Sequence, residues 1–108
     1  MAETAKLDAG TFDRAVSEGV TAVDFWAEWC GPCKAMGAVL EREVAPALPA
    51  GAKIAKVDVD SNPALAARFG IAAIPAILVF KDGELKASFA GVQKAEAILE
   101  AIGKAAEE

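Results

Sequence analysis

The chain has 108 residues, 55% hydrophobic and 25% charged, a composition that fits one folded domain over residues 1–108 and excludes a disordered chain. Eleven basic and sixteen acidic residues leave a formal charge of -5, which argues against nucleic acid and against anionic membranes as partners. Two cysteines and no histidine exclude a disulfide framework and fit a reducing compartment.

At the N-terminus, Glu3, Lys6 and Asp8 interrupt any apolar stretch, so no secretory signal is read there and a cytoplasmic location is expected. A short edge strand is expected around Glu3 to Leu7. A helix follows, with Thr11 as N-cap and Gly19 as its stop. Val20 to Ala27 reads as a strand, apolar on both faces apart from Thr21 and Asp24, which predicts a central parallel strand covered on both sides. The next helix opens at the cysteine pair. Its Cys33, Met36, Leu40 and Val44 recur at three- and four-residue spacing as one buried stripe, and Pro46, Pro49 and Gly51 end it.

Lys53 to Val59 is a further strand. Asp60, Ser61 and Asn62 before Pro63 signal another helix start, and Gly70 its close. The longest apolar run, Ile71 to Phe80, contains Pro75 and is about half the length a membrane span needs, so it is read as core. Within it Ala76 to Phe80 is a strand. Asp82-Gly83 signals a tight hairpin back through Leu85 to Phe89, because both turn positions favour positive φ. A last helix carries Ala95, Ile98, Leu99 and Ile102 on one face. The order βαβαβαββα predicts an α/β fold, a central mixed five-stranded sheet flanked by four helices.

Trp29-Cys30-Gly31-Pro32-Cys33 lies between a buried strand and a helix. A thiol at a helix N-terminus meets unpaired backbone N–H groups and the positive end of the macrodipole. Both favour the thiolate, the species that attacks a disulfide sulfur. Cys30, expected at an exposed helix mouth, is then the attacker, and Cys33, one turn inside, the resolving thiol. Three other readings compete: half of a zinc site, an iron–sulfur ligand pair, or a static disulfide or inert thiols. Zinc and iron–sulfur centres both want four ligands, and the chain offers two cysteines and no histidine. Asp24, a carboxylate in an apolar central strand, is desolvated; its pKa rises and it becomes a usable base near neutrality. A satisfied structural aspartate at a strand end is the alternative.

Val23-Asp24-Phe25-Trp26-Ala27-Glu28-Trp29-Cys30-Gly31-Pro32-Cys33-Lys34 resembles the active-site signature of the thioredoxin family. Further matches run in family order through Ala55 to Asp60, Phe69-Gly70-Ile71, Ile74-Pro75, Phe80 to Gly83, and Gly91. The resemblance implies the thioredoxin fold and a thiol-disulfide oxidoreductase. It makes Cys30 the nucleophile, Cys33 the resolving thiol, Asp24 the group that moves the Cys33 proton, and Lys56 the charge partner of Asp24; the alternative for Lys56 is a solvated surface lysine. It implies a cis Pro75, with the Ile74 backbone pairing with the substrate chain. Trp29, Gly31, Pro32, Ala73, Ile74, Gly91 and Val92 would form a flat apolar docking surface; core packing is the alternative for Trp29, and Trp26 is read as the structural tryptophan. No bound cofactor and no metal are implied. Disulfide-containing proteins are the implied substrates, a flavin-containing thioredoxin reductase resets the pair, and a monomer is expected.

The chain departs from the common pattern at three places. Ala38 stands where many members carry a helix-kinking proline, so a straighter helix is expected. Ala76 follows Pro75 where threonine is usual, and Ala72 and Ala73 replace a more polar stretch. Gly31-Pro32 between the cysteines resembles reductive members, whereas oxidants and isomerases of the fold usually carry a histidine there. A redox-independent binding module and an exported oxidant or isomerase are the competing functions.

Overall fold

The computed structural model describes residues 4–108. Its elements are β1 (Ala5–Lys6), α1 (Phe12–Ala15), β2 (Val20–Trp26), α2 (Gly31–Val39), β3 (Ala52–Asp58), α3 (Pro63–Arg68), β4 (Ala76–Lys81), β5 (Glu84–Ala90) and α4 (Ala95–Ala106). One five-stranded sheet has the order β1-β3-β2-β4-β5. β1 and β2 both run parallel to β3, while β4 runs antiparallel to β2 and β5 antiparallel to β4. The strand β2 is therefore central in a mixed sheet, as expected, but parallel to its neighbour on one side only. The start of the edge strand expected at Glu3 lies outside the described residues.

Alternation along β2 feeds two cores. Val20 and Ala22 face α2 and α4, where Met36, Leu40, Val44, Ile98 and Ile102 pack with Ile54, Ile77 and Val79. Val23 and Phe25 face α1 and α3 and meet Phe12, Leu65, Leu78 and Phe80. This is why the strand is apolar on both faces. The second core is aromatic: Phe12 lies 5.1 Å from Phe69 and 5.5 Å from Phe80 between ring centroids. Arg68 covers this cluster from solvent, 4.8 Å from the Phe69 ring, while its guanidinium bonds both Asp13 oxygens.

Local signals set the turns. Asp82 and Gly83 both have positive φ, 49° and 86°, and close the hairpin with Lys81 opposite Glu84. Asp82 Oδ1 accepts from the Gly19 N–H at 2.8 Å, so the hairpin tip is fixed to the turn before β2. α1 is a single turn ending at Ala15, well before Gly19. The Thr11 side chain does not cap it; Asp8 Oδ1 accepts from the N–H groups of Gly10 and Thr11 instead. Before α3, Asp58 Oδ1 accepts from Asp60 and Ser61, and Asn62 makes no side-chain cap. The helix that opens at the cysteines does not stay regular without a proline at position 38. After Val39 it winds as a π turn over Leu40–Val44 and a 3-10 turn over Ala45–Ala47. The buried stripe Cys33, Met36, Leu40 and Val44 holds throughout.

Candidate active site

The site sits where β2 ends and α2 begins. Cys30 is the N-cap of α2, in extended backbone conformation, and its Sγ accepts from the Cys33 N–H at 3.2 Å. Pro32 in the first turn has no N–H to leave unpaired. Cys30 and Cys33 form a disulfide with Cα atoms 5.2 Å apart. They pack with Ala27 against Trp26, Val59 and Ile74. Cys30 is 4% exposed and Cys33 3%. Exposure therefore does not separate the two sulfurs as the sequence reading expected; what separates them is position, one capping the helix and the other a turn inside.

Behind the pair lies Asp24. It follows Val20 and Ala22 in the row of β2 that faces α2, so its side chain enters the core under that helix. Two polar side chains of β2 are buried. Thr21 donates to the Ala15 carbonyl at 3.5 Å, but Asp24 Oδ1 has no hydrogen-bond partner among the described residues. Burial pushes the Asp24 carboxyl up to about 7, and the Lys56 charge opposes that only in part. Asp24 and Cys33 line one cavity of about 270 Å³, which reaches the surface past Lys34, Glu41 and Arg42 and is bounded by Lys56. Lys56 is the β3 residue paired with Asp24, half-buried, so the fully solvated reading does not hold for it.

Around the disulfide the chain presents an apolar rim. Trp29 is 70% exposed, which excludes core packing, and its indole N–H donates to Asp60 Oδ2 at 2.8 Å. Gly31, Pro32 and Ala73 are exposed, Ile74 and Gly91 are half-buried, and Val92 is 51% exposed. The Ile74–Pro75 peptide bond is cis. The Pro75 carbonyl accepts from the Gly91 N–H at 2.8 Å, which joins the loops that carry Ile74 and Val92. Gln93 reinforces that corner through the Ala90 and Gly91 carbonyls. Asp60 and Gln93 went unassigned at the level of sequence. Asp60 is read there as part of a helix start and of a family-matching run, and its contact with Trp29 spans 31 residues.

The family model described as Thioredoxin matches residues 3–104. The chain belongs to the thioredoxin family. A thioredoxin of Staphylococcus saprophyticus is 46% identical over 99 residues, covering 92% of this chain and 94% of that protein. A thioredoxin of Staphylococcus aureus is 44% identical over the same length and shares. The solved structure of a mutant thioredoxin from Halobacterium salinarum matches with a TM-score of 0.85 at 32% identity, covering 98% of this chain and 93% of that one. As a thioredoxin-family chain it is a thiol-disulfide oxidoreductase, and Cys30 and Cys33 are its redox-active pair. Thioredoxins work without a bound cofactor, on disulfide-bearing proteins and with a reductase. Among the described residues no cluster of three or more potential metal ligands occurs, and no helix is long and apolar enough to cross a membrane.

Proposed function

We propose that the chain works as a single domain over residues 1–108 that reduces disulfides in other proteins, in the cytoplasm and as a monomer. The observation that carries the reading is the Cys30–Cys33 pair, closed within one turn at the N-terminus of α2, with a buried carboxylate behind it whose Oδ1 has no hydrogen-bond partner among the described residues.

The Cys30 thiolate, favoured by the helix N-terminus, attacks one sulfur of a substrate disulfide. A Cys30–substrate S–S bond forms, the substrate bond breaks, and one substrate thiolate leaves. Cys33 gives its proton to Asp24 and attacks the Cys30 sulfur. The Cys30–Cys33 bond forms and the second substrate thiolate departs. The substrate gains two electrons and the cysteine pair loses two. A thioredoxin reductase returns them, and the thiols themselves carry the electrons, so no cofactor is bound. Lys56 modulates Asp24. Trp29, Pro32, Val92 and Ala73 supply apolar docking area, Gly31 and Gly91 let a partner backbone approach, and Ile74 before Pro75 offers its backbone to an extended substrate segment.

Equilibration in redox buffers tests the direction of electron flow. A potential below about -220 mV, at or under a cytosolic glutathione pool, supports a reductant; a value around -120 mV places the protein among oxidants and overturns this reading. Cys33→Ser tests the order of attack. It will accumulate a mixed disulfide through Cys30, whereas capture through the remaining thiol of Cys30→Ser would reverse the two roles.

A further inference from the structure

Trp26 stands two residues beyond Asp24 on β2, so both side chains project to the α2 face of the sheet. Lys56, paired with Asp24 across the parallel ladder, projects to the same face. Its ammonium has two attractive neighbours there, the carboxylate alongside and the indole ring beyond it. Nζ lies over the Trp26 ring, 5.0 Å from the centroid, inside the range of a cation–π contact. Among the described residues, no carboxylate oxygen lies within ion-pair distance of that nitrogen. Asp24 Oδ1 has no hydrogen-bond partner among the described residues. Opposite charges at adjacent register positions would ordinarily close on each other, and the ring face supplies the competing attraction.

We propose that Trp26 is a positioning residue: its indole face holds the Lys56 ammonium off the Asp24 carboxylate. The consequence for turnover rests on the reading of Asp24 as acceptor of the Cys33 proton. A carboxylate in direct contact with an ammonium holds a proton poorly and becomes a weak base, while one that feels the charge only at a distance stays proton-hungry near neutrality. Trp26 thereby acts on the second thiol exchange through Lys56.

Among the described residues, the other ionisable groups facing Asp24 are Cys33 and Lys34 from α2 and Glu41 and Arg42 from the π turn; β4 contributes the uncharged Ile77 opposite it. On the other side of Lys56 stand Lys6, Asp8, Glu28 and Asp58. All of these are left intact in the test.

The test follows the Asp24 side-chain carboxyl by carbon NMR across pH in the reduced protein, together with the pH profile of the resolving step in single turnover. Trp26→Leu removes the ring face, and the carboxyl's proton affinity should fall about tenfold as the ammonium closes on it. Trp26→Phe keeps a ring face and should restore the titration toward that of the parent. In a Lys56→Met background Trp26→Leu should produce no such fall. An equal fall in both backgrounds would mean that the ring only excludes water, and an unchanged titration would mean that it does nothing here; either overturns the proposal. If Trp26→Leu does not fold, the parent protein decides: Lys56 side-chain protons shifted upfield by the indole ring current support the proposal, and unshifted ones overturn it. Asp24→Asn separates the two layers. A resolving step that it leaves unchanged removes Asp24 as the base, while the titration still reports on Trp26 and Lys56.

Discussion

Asp24 is held in the centre of the sheet at a cost to stability. Its carboxyl titrates at about 7 in the fold against 3.8 for an ordinary aspartate. Below about pH 3 it is neutral in both folded and unfolded chains and carries no penalty. As pH rises from about 3 to 7 the unfolded chain releases this proton and the folded one retains it, so stability falls. Well above 7 both are ionised and the loss is complete, on the order of 4 kcal/mol. The stability advantage of Asp24→Asn over the parent should therefore grow by about that amount between pH 4 and pH 8, measured by urea unfolding of the oxidised protein. An advantage equal at both pH values would show that Asp24 ionises freely in the fold. Cys30, Cys33 and Asp24 were legible in the sequence because each is marked by its immediate neighbours: a helix mouth, a turn-length spacing, a charge inside an apolar strand. The Trp26–Lys56 contact and the Asp60 anchor of Trp29 were not, because strand register and tertiary approach create them. Nor was the equal burial of the two sulfurs, which follows from Ile74 and Val59 packing over them from distant segments.

The elements show which glycines are there by necessity. Gly103 lies inside α4, and a Cβ built on it meets nothing within 4 Å. Gly103→Ala should stabilise the protein by about 0.5–1 kcal/mol and leave its redox chemistry unchanged. Gly19 has φ +70°, and a Cβ there would lie 2.6 Å from the Gly51 carbonyl oxygen. Gly19→Ala should cost roughly 1–3 kcal/mol. Thermal unfolding of the two variants checks both signs, and a Gly19→Ala protein as stable as the parent would contradict that close approach. The order of elements was readable because apolar periodicity and turn chemistry agree along the chain. The details of α1 and α2 were not. Thr11 holds the N-cap position but makes no side-chain cap bond, while Asp8 accepts from the N–H groups just ahead of the helix, and the π turn at Leu40–Val44 interrupts a pattern that a regular helix fits equally well.

In the whole molecule the sheet divides the interior into two cores: Asp24 projects to the α2 side, while the disulfide packs against Val59 and Ile74, which also pack against the aromatic core. The aromatic cluster of Phe12, Phe69 and Phe80 lies on the other side and touches neither sulfur. Removing Phe12, fully buried, should cost about 3–5 kcal/mol. At temperatures where Phe12→Ala remains folded, its reduction potential and its rate with a protein disulfide should match the parent. A shifted potential would show that the aromatic core is coupled to the disulfide through Val59 and Ile74.

Pairing on both edges of β2 bears on how the molecule breathes. Val20 to Phe25 have ladder partners in β3 and in β4, so their amides sit at the interior of the sheet. Such amides trade hydrogen for deuterium only when the sheet as a whole comes apart. Trp29, Ala73 and Val92 lie in segments outside the ladders, where opening is local. In the proposed mechanism the proton acceptor Asp24 is thus mounted on a strand paired on both edges, and the proposed docking surface rides on segments outside the ladders. On that proposal, partners of different shape are accommodated at the rim without disturbing the strand that carries Asp24.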